Sequence, residues 1–140
     1  AGESSGGLTI RGHILGKDGI FACALVVEMI ARTGRTVAAM LQEIYAQIGH
    51  LVSREVNLPA TSEMKVLVPR KLAATPLDAI ASYPVQRVSY QDGIKFYLEN
   101  DNWLLLRFSG TEPLLRIFTE ADTREKAEQL IAWAQQLIAV

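Results

Sequence analysis

Across residues 18–32 almost every position is apolar. Ile20, Phe21, Ala24, Leu25, Val26, Val27, Met29 and Ile30 leave hardly any polar face. That density predicts a helix buried on most sides, since a surface helix keeps its apolar residues to one stripe. Asp18 can cap it, because a short carboxylate accepts from the free amides of the first turn. Gly34 can supply the left-handed stop. Thr36 opens a second helix, with Val37, Met40, Leu41, Ile44, Tyr45 and Ile48 on one stripe and Gly49 at its end. Two such helices cannot hide their apolar surface on each other alone. They need a sheet that residues 1–50 do not supply, so this stretch reads as the C-terminal part of a larger α/β domain. Before it, residues 1–17 read as irregular, with one extended stretch at 8–10.

From Leu51 the period changes. Residues 51–58 alternate weakly, as an edge strand does. Thr61 or Ser62 can start a helix that Pro69 should kink or shorten. Thr75-Pro76-Leu77-Asp78 reads as a short helix start, with a cap and then proline in the first turn. Residues 85–90 and 94–98 read as strands joined at Asp92-Gly93, a strong hairpin signal. Asn100-Asp101-Asn102 turns into a strand at 103–107, and another follows at 114–119. Asp122 can cap a last helix, with Glu125 completing a capping box. Its buried stripe is Ala127, Leu130, Ile131, Ala134, Leu137 and Ile138. Consecutive strands on short turns, with helices before and after, predict a complete antiparallel α+β domain over 51–140.

Composition narrows the functional classes. At 140 residues and 49% hydrophobic, the chain can bury a real core in one or two small domains. A net charge of -1 gives no general attraction to nucleic acid or to acidic membranes, so any anion site must be local. The single cysteine, Cys23, rules out an internal disulfide framework and is expected as a buried structural thiol. No apolar run reaches about 18 residues, and a cytoplasmic protein is expected. The chain opens at Ala1 directly on a polar glycine-rich loop, which suggests an excised fragment or a cleaved product.

Two loops carry candidate chemistry. Arg107-Phe108-Ser109-Gly110-Thr111-Glu112-Pro113-Leu114-Leu115-Arg116 joins two strands through two hydroxyls and a glycine, between two arginines. Ser109 and Thr111 can donate to an anion, Gly110 lets backbone amides approach it, and a guanidinium meets two phosphate oxygens at once. Arg116 lies within an apolar run, where a charge needs a partner or a ligand. The plainer reading is a tight hairpin whose arginines pair with Glu112 or Glu120. The second loop, Gly2-Glu3-Ser4-Ser5-Gly6-Gly7, offers a carboxylate and two hydroxyls suited to sugar hydroxyls; taken alone, it also has the composition of a linker. His13 reads as a loop or helix-entry residue or a substrate contact, and His50 as a surface residue.

The ten-residue loop resembles the phosphate-binding signature of the last domain of the α-D-phosphohexomutases, Arg-x-Ser-Gly-Thr-Glu-Pro with an arginine soon after. The opening loop resembles the Gly-Glu-x-Ser-Gly loop of the third domain of the same family, followed by His13-Ile14-x-x-Lys17-Asp18-Gly19. The resemblance runs through the chain in order. It implies residues 1–50 as the C-terminal part of the third, sugar-binding α/β domain. It implies residues 51–140 as the fourth, phosphate-binding domain, with a fold like the TATA-box-binding protein. By the same resemblance Glu3, Ser5 and Lys17 contact the sugar, and Arg107, Ser109, Gly110, Thr111 and Arg116 grip the phosphate that is not being transferred. Many phosphomannomutase-type members carry histidine where this chain has Gly7, which favours glucose phosphate.

The family reaction uses a phosphoserine, a magnesium ion and a bisphosphate intermediate, glucose 1,6-bisphosphate for a glucose substrate. No Thr-Ala-Ser-His-Asn loop and no Asp-x-Asp-x-Asp cluster occurs here. The chain is therefore expected to bind hexose phosphate and to depend on upstream domains for catalysis, being inactive alone. No nucleic-acid or membrane partner is expected. A stand-alone phosphosugar-binding module and a protein-interaction domain are the alternatives.

Overall fold

The computed structural model describes residues 1–3, 6–74 and 77–138. They fall into two compact units, Ala1–Gly49 and His50–Val140.

The first unit holds two helices, α1 (Gly19–Thr33) and α2 (Val37–Ile48). Their ends follow from local chemistry. The Asp18 carboxylate accepts from the Phe21 amide at 3.0 Å, and Gly34 closes α1 in the left-handed region at φ 65°. The Thr36 hydroxyl accepts from the Ala39 amide at 3.2 Å to start α2. Before α1, Leu8 makes only an isolated bridge with Gly2. The dense apolar pattern does not produce burial: neither helix contains a buried residue, and Ile20, Val27, Ile44 and Ile48 are exposed. Cys23 is exposed as well, against the expectation of a buried thiol. The described residues before α1 form no strand, so no sheet covers these faces within this unit.

The second unit is an antiparallel sheet of six strands in the order β1-β6-β5-β4-β3-β2. The strands are β1 (Val52–Pro59), β2 (Ala79–Ile80), β3 (Tyr83–Ser89), β4 (Ile94–Leu98), β5 (Trp103–Phe108) and β6 (Leu114–Ala121). Helices α3 (Met64–Ala74) and α4 (Arg124–Ile138) complete it. The α+β class expected from the pattern is the class observed. Strict alternation puts Phe96, Leu104, Leu106, Leu115 and Ile117 in the core, together with Leu130 and Ala134 of α4. The other face carries polar and aromatic residues. There the Arg87 guanidinium lies 3.7 Å over Tyr97, and the Lys95 ammonium 3.9 Å over Trp103.

Three local expectations are corrected. No helix starts near Asp78; Thr75 and Pro76 lie outside the described residues, and Ala79–Ile80 form β2 instead. Ile80 is fully buried, and positive φ at Ala81 and Ser82 makes the tight hairpin that returns to β3. Pro69 lies within α3 and does not shorten it, the helix running on to Ala74. Proline costs the helix one backbone bond, but Val68 and Leu72 pack into the core on either side of it. The cap of α4 is Thr123 rather than Asp122, its hydroxyl accepting from the Lys126 amide at 3.2 Å.

Asp122 is engaged elsewhere. Its amide donates to Oδ1 of the fully buried Asn102 at 2.6 Å, and the Asn102 side-chain amide donates to the Glu99 carbonyl. Desolvation works to raise the Asp122 carboxyl. The Lys126 charge and hydrogen bonds from Asn102, Lys126 and Asn100 outweigh it and hold the carboxyl below its ordinary value. Asn102 thus ties the β4–β5 turn to the end of β6.

Two predictions follow from these contacts. Asn102→Ala removes the acceptor of the Asp122 amide and a second donor to the Glu99 carbonyl and should destabilise the chain by about 1–2 kcal/mol, read as a lower urea midpoint; an unchanged midpoint would remove this tie. Asp18 is held below the usual carboxylate range, first by the Phe21 amide and then by His13, whose Nε2 lies 2.8 Å from Oδ2. A depressed folded pKa means the cap is intact above the unfolded value of about 3.9 and is lost as pH falls through the lower folded value. The Phe21 amide shift followed by NMR should titrate with a midpoint below that value, and a midpoint at or above it contradicts the cap.

Candidate functional site

The hairpin between β5 and β6 sets the geometry of the first site. Its register places Arg107 directly opposite Arg116. Alternation turns both toward the face away from α4, because Leu106, Leu115 and Ile117 take the core side. Like charges opposite each other are unfavourable unless each is neutralised. Here each has a carboxylate: Arg107 Nε lies 3.1 Å from Asp92, and Arg116 Nη2 2.9 Å from Glu112. Glu120, the other partner considered for the arginines, accepts instead from Trp103 Nε1 at 3.0 Å.

The loop between the arginines is held by its own backbone and by one serine. The Ser109 amide donates to the Leu114 carbonyl at 2.8 Å, closing the turn. Ser109 Oγ accepts from the amides of Thr111 at 3.4 Å and Glu112 at 3.2 Å, which leaves its own hydroxyl proton available to donate. A Cβ at Gly110 would meet nothing within 4 Å, so the fold itself does not demand glycine there. Arg107, Phe108, Ser109, Gly110, Thr111 and Arg116 together line an open cleft of about 410 Å³. The structure thus brings all five phosphate candidates to one place. Two arginines, hydroxyls and a close backbone make a cleft suited to an oxyanion.

Two residues the sequence reading missed support this cleft. Asp92, in the β3–β4 turn, holds Arg107. Gly93 beside it has φ 88°, and an added Cβ would stand 2.5 Å from the Leu106 carbonyl oxygen. Only glycine allows that turn to lie against β5, which is what brings Asp92 to Arg107. Lys65, in the first turn of α3, donates to the Ser109 carbonyl at 2.9 Å across 44 residues of chain. The hairpin signal Asp92-Gly93 was visible in the sequence, but nothing there tied it to Arg107.

The second site lies in the first unit. Lys17 Nζ donates to Glu3 Oε2 at 2.7 Å. Gly7 lies against that pair: an added Cβ would be 2.6 Å from Lys17 Cδ and 2.8 Å from Glu3 Oε2. Glu3, Gly7 and Lys17 contribute to the lining of a cleft of about 390 Å³. Ser5, the third sugar candidate, lies outside the described residues. His13 stacks on Phe21 at 4.0 Å and pairs with Asp18, so it helps fix the start of α1. Among the described residues no three His, Cys, Asp or Glu side chains converge as metal ligands. These residues therefore offer no carboxylate cluster of the kind a magnesium ion prefers.

Comparison with known proteins places both loops in one lineage. The family model for the phosphoglucomutase/phosphomannomutase C-terminal domain matches residues 55–133, and that for alpha/beta/alpha domain III matches residues 1–48. A probable phosphoglucosamine mutase from Pyrococcus abyssi is 40% identical over 143 residues, covering 98% of this chain and 28% of that protein. A phosphoglucomutase/phosphomannomutase from Thermococcus kodakarensis is 29% identical over 137 residues, with the same shares covered. The crystal structure of a phosphoglucomutase/phosphomannomutase family protein from Burkholderia thailandensis matches with a TM-score of 0.65 at 23% identity, over 98% of this chain and 27% of that one. At that identity the likeness speaks for the fold. The chain spans 28% of the length of these curated relatives. With the C-terminal-domain match running from β1 into α4 and enclosing the arginine-flanked loop, the chain belongs to the phosphoglucomutase/phosphomannomutase family.

Proposed function

We propose that this chain is the substrate-binding C-terminal portion of a phosphohexomutase, an isomerase that interconverts hexose 1-phosphate and hexose 6-phosphate. The observation that carries the reading is the cleft between Arg107 and Arg116, floored by Ser109, Gly110 and Thr111. In this reading residues 51–140 are the phosphate-binding domain, and that cleft holds the phosphate that is not being transferred. Residues 1–50 are the C-terminal part of the sugar-binding domain, with Glu3, Ser5 and Lys17 toward the sugar hydroxyls. The phosphoserine and its magnesium ion belong to upstream domains of the same cytoplasmic enzyme, and a hexose 1,6-bisphosphate is the intermediate.

The physical case rests on exchangeable charge. The ion pairs of Arg107 and Arg116 are at least a third exposed, and such pairs are individually weak. An arriving phosphate dianion can take over the guanidinium donors at modest cost. Binding the remote phosphate then fixes where the reacting hydroxyl sits, which is how binding energy becomes rate. Because the bisphosphate must turn over between the two half-reactions, the cleft has to accept phosphate with the ring in either orientation. An open cleft that reads the dianion alone meets that need.

Glucose phosphate is favoured by glycine at position 7. A hexosamine phosphate is the second reading, favoured by the relative from Pyrococcus abyssi named as a probable phosphoglucosamine mutase. Parallel kcat/KM measurements on glucose, mannose and glucosamine phosphates decide between them.

Arg107→Ala in the whole enzyme should raise KM roughly 10- to 150-fold, the loss of a charge-assisted phosphate contact worth about 1.5–3 kcal/mol; unchanged kinetics would sink the assignment. Gly7→Ala pushes Lys17 away from Glu3. It should raise KM about two- to five-fold, the scale of an exposed ion pair, while Tm stays constant. A fall in Tm without a change in KM would make the Glu3–Lys17 pair merely structural.

A further inference from the structure

We propose that Lys65 is a positioning residue for the phosphate loop: it locks the Ser109–Gly110 peptide in the one orientation that turns the Gly110 amide toward the bound anion. The proposal rests on the reading of the loop as a phosphate site and adds to it a residue outside the loop.

Lys65 Nζ donates to the Ser109 carbonyl at 2.9 Å from a half-buried position. In a planar trans peptide the carbonyl and the following N–H point in opposite directions. Holding the Ser109 carbonyl on the Lys65 side therefore sends the Gly110 N–H to the other side. Gly110 lines the cleft and Lys65 does not, so the lysine acts through the loop backbone rather than on the ligand. The lock is needed because of the residue it acts on. Glycine tolerates both signs of φ, so a peptide beside it can flip at little cost, and a Cβ at Gly110 would meet no atom within 4 Å. Among the described residues the Gly110 amide has no protein acceptor that would fix it instead. A flip would aim the Ser109 carbonyl, an acceptor, at the phosphate.

The placement of Lys65 is not explained by its helix. A cation in the first turn of α3 opposes the helix dipole, which favours negative charge there. A residue of that charge at that place is accounted for by what it holds.

The test uses this chain and two variants, K65M and K65R, with inorganic phosphate as the probe. Residual dipolar couplings and relaxation dispersion report the orientation and exchange of the 109–110 peptide, and amide shifts over residues 107–116 report phosphate affinity. The expected result has a single quiet orientation in the native chain, exchange at Gly110 in K65M with phosphate binding about ten-fold weaker, and recovery of both in K65R. The amide spectrum of the sheet core shows that each variant is folded. If the peptide of folded K65M stays fixed and its phosphate affinity is unchanged, the lock is overturned. If the native chain shows no phosphate-induced shifts in the loop, the phosphate reading falls by itself. The lock is then decided by the peptide orientation alone, standing if K65M reorients and failing if it does not.

Discussion

The pairing of β5 with β6, in the register that sets Arg107 against Arg116, is the constraint on which the arginine-flanked cleft depends. A slip of one residue would turn every side chain of a strand to the opposite face, exchanging buried leucines for arginines. The core prevents it. Leu104, Leu106, Leu115 and Ile117 are essentially without solvent contact; Leu106 holds Arg107, and Leu115 and Ile117 hold Arg116, to the outer face. Burial of apolar area on one side of the sheet thereby fixes the charge geometry on the other. The buried Thr119 reinforces the register by donating its hydroxyl to the Trp103 carbonyl at 2.6 Å.

That geometry carries an electrostatic cost which the fold itself offsets. Two guanidinium groups face each other across adjacent strands, and without an anion between them they repel. Asp92 and Glu112 supply the missing charge from opposite directions, one from a neighbouring hairpin and one from within the loop. Glu112 looks at first like an argument against an anion site, since a carboxylate repels phosphate. Its pairing with Arg116 gives it the opposite role on the proposed reading, as a stand-in for the anion that keeps the arginine placed. Both pairs are exposed enough to be screened by water and salt, which keeps them exchangeable.

What could be read from the sequence divides along physical lines. The caps at Asp18, Thr36, Gly34 and Gly49 were legible because each depends on a few adjacent residues. The strands of the second unit were legible because one face is buried and alternation records it, and the arginine-flanked loop between β5 and β6 because its residues are contiguous. Tertiary competition defeated the rest. Asp122 has the chemistry of a cap, but the buried Asn102 claims it and the cap passes to Thr123. Asp78 has a helix-start neighbourhood, but its carbonyl accepts from the Val85 amide and the chain turns into a hairpin. The helical pattern of α1 and α2 was read correctly, whereas burial depends on a partner surface that a pattern cannot supply. Asp92 and Lys65 were invisible for a related reason: they reach the loop only through the sheet register and the docking of α3.

The two units therefore stand in different relations to their own sequences. Residues 50–140 contain both sides of their core: the sheet face and α4 meet through Phe96 and Trp133, whose rings lie edge to face at 6.0 Å. Their loop can be shaped by groups within the same unit. In residues 1–49 the helices keep their shape through caps and backbone bonds, yet Ile20 is 86% exposed and Ile48 78%. Short helices with uncovered apolar faces draw little stability from propensity alone, since most helical stability comes from packing. The Glu3–Lys17 pair precedes α1 and has no buried core of its own to brace it. The loop of the second unit can thus be shaped without help, while the first unit calls for an apolar surface that covers α1 and α2.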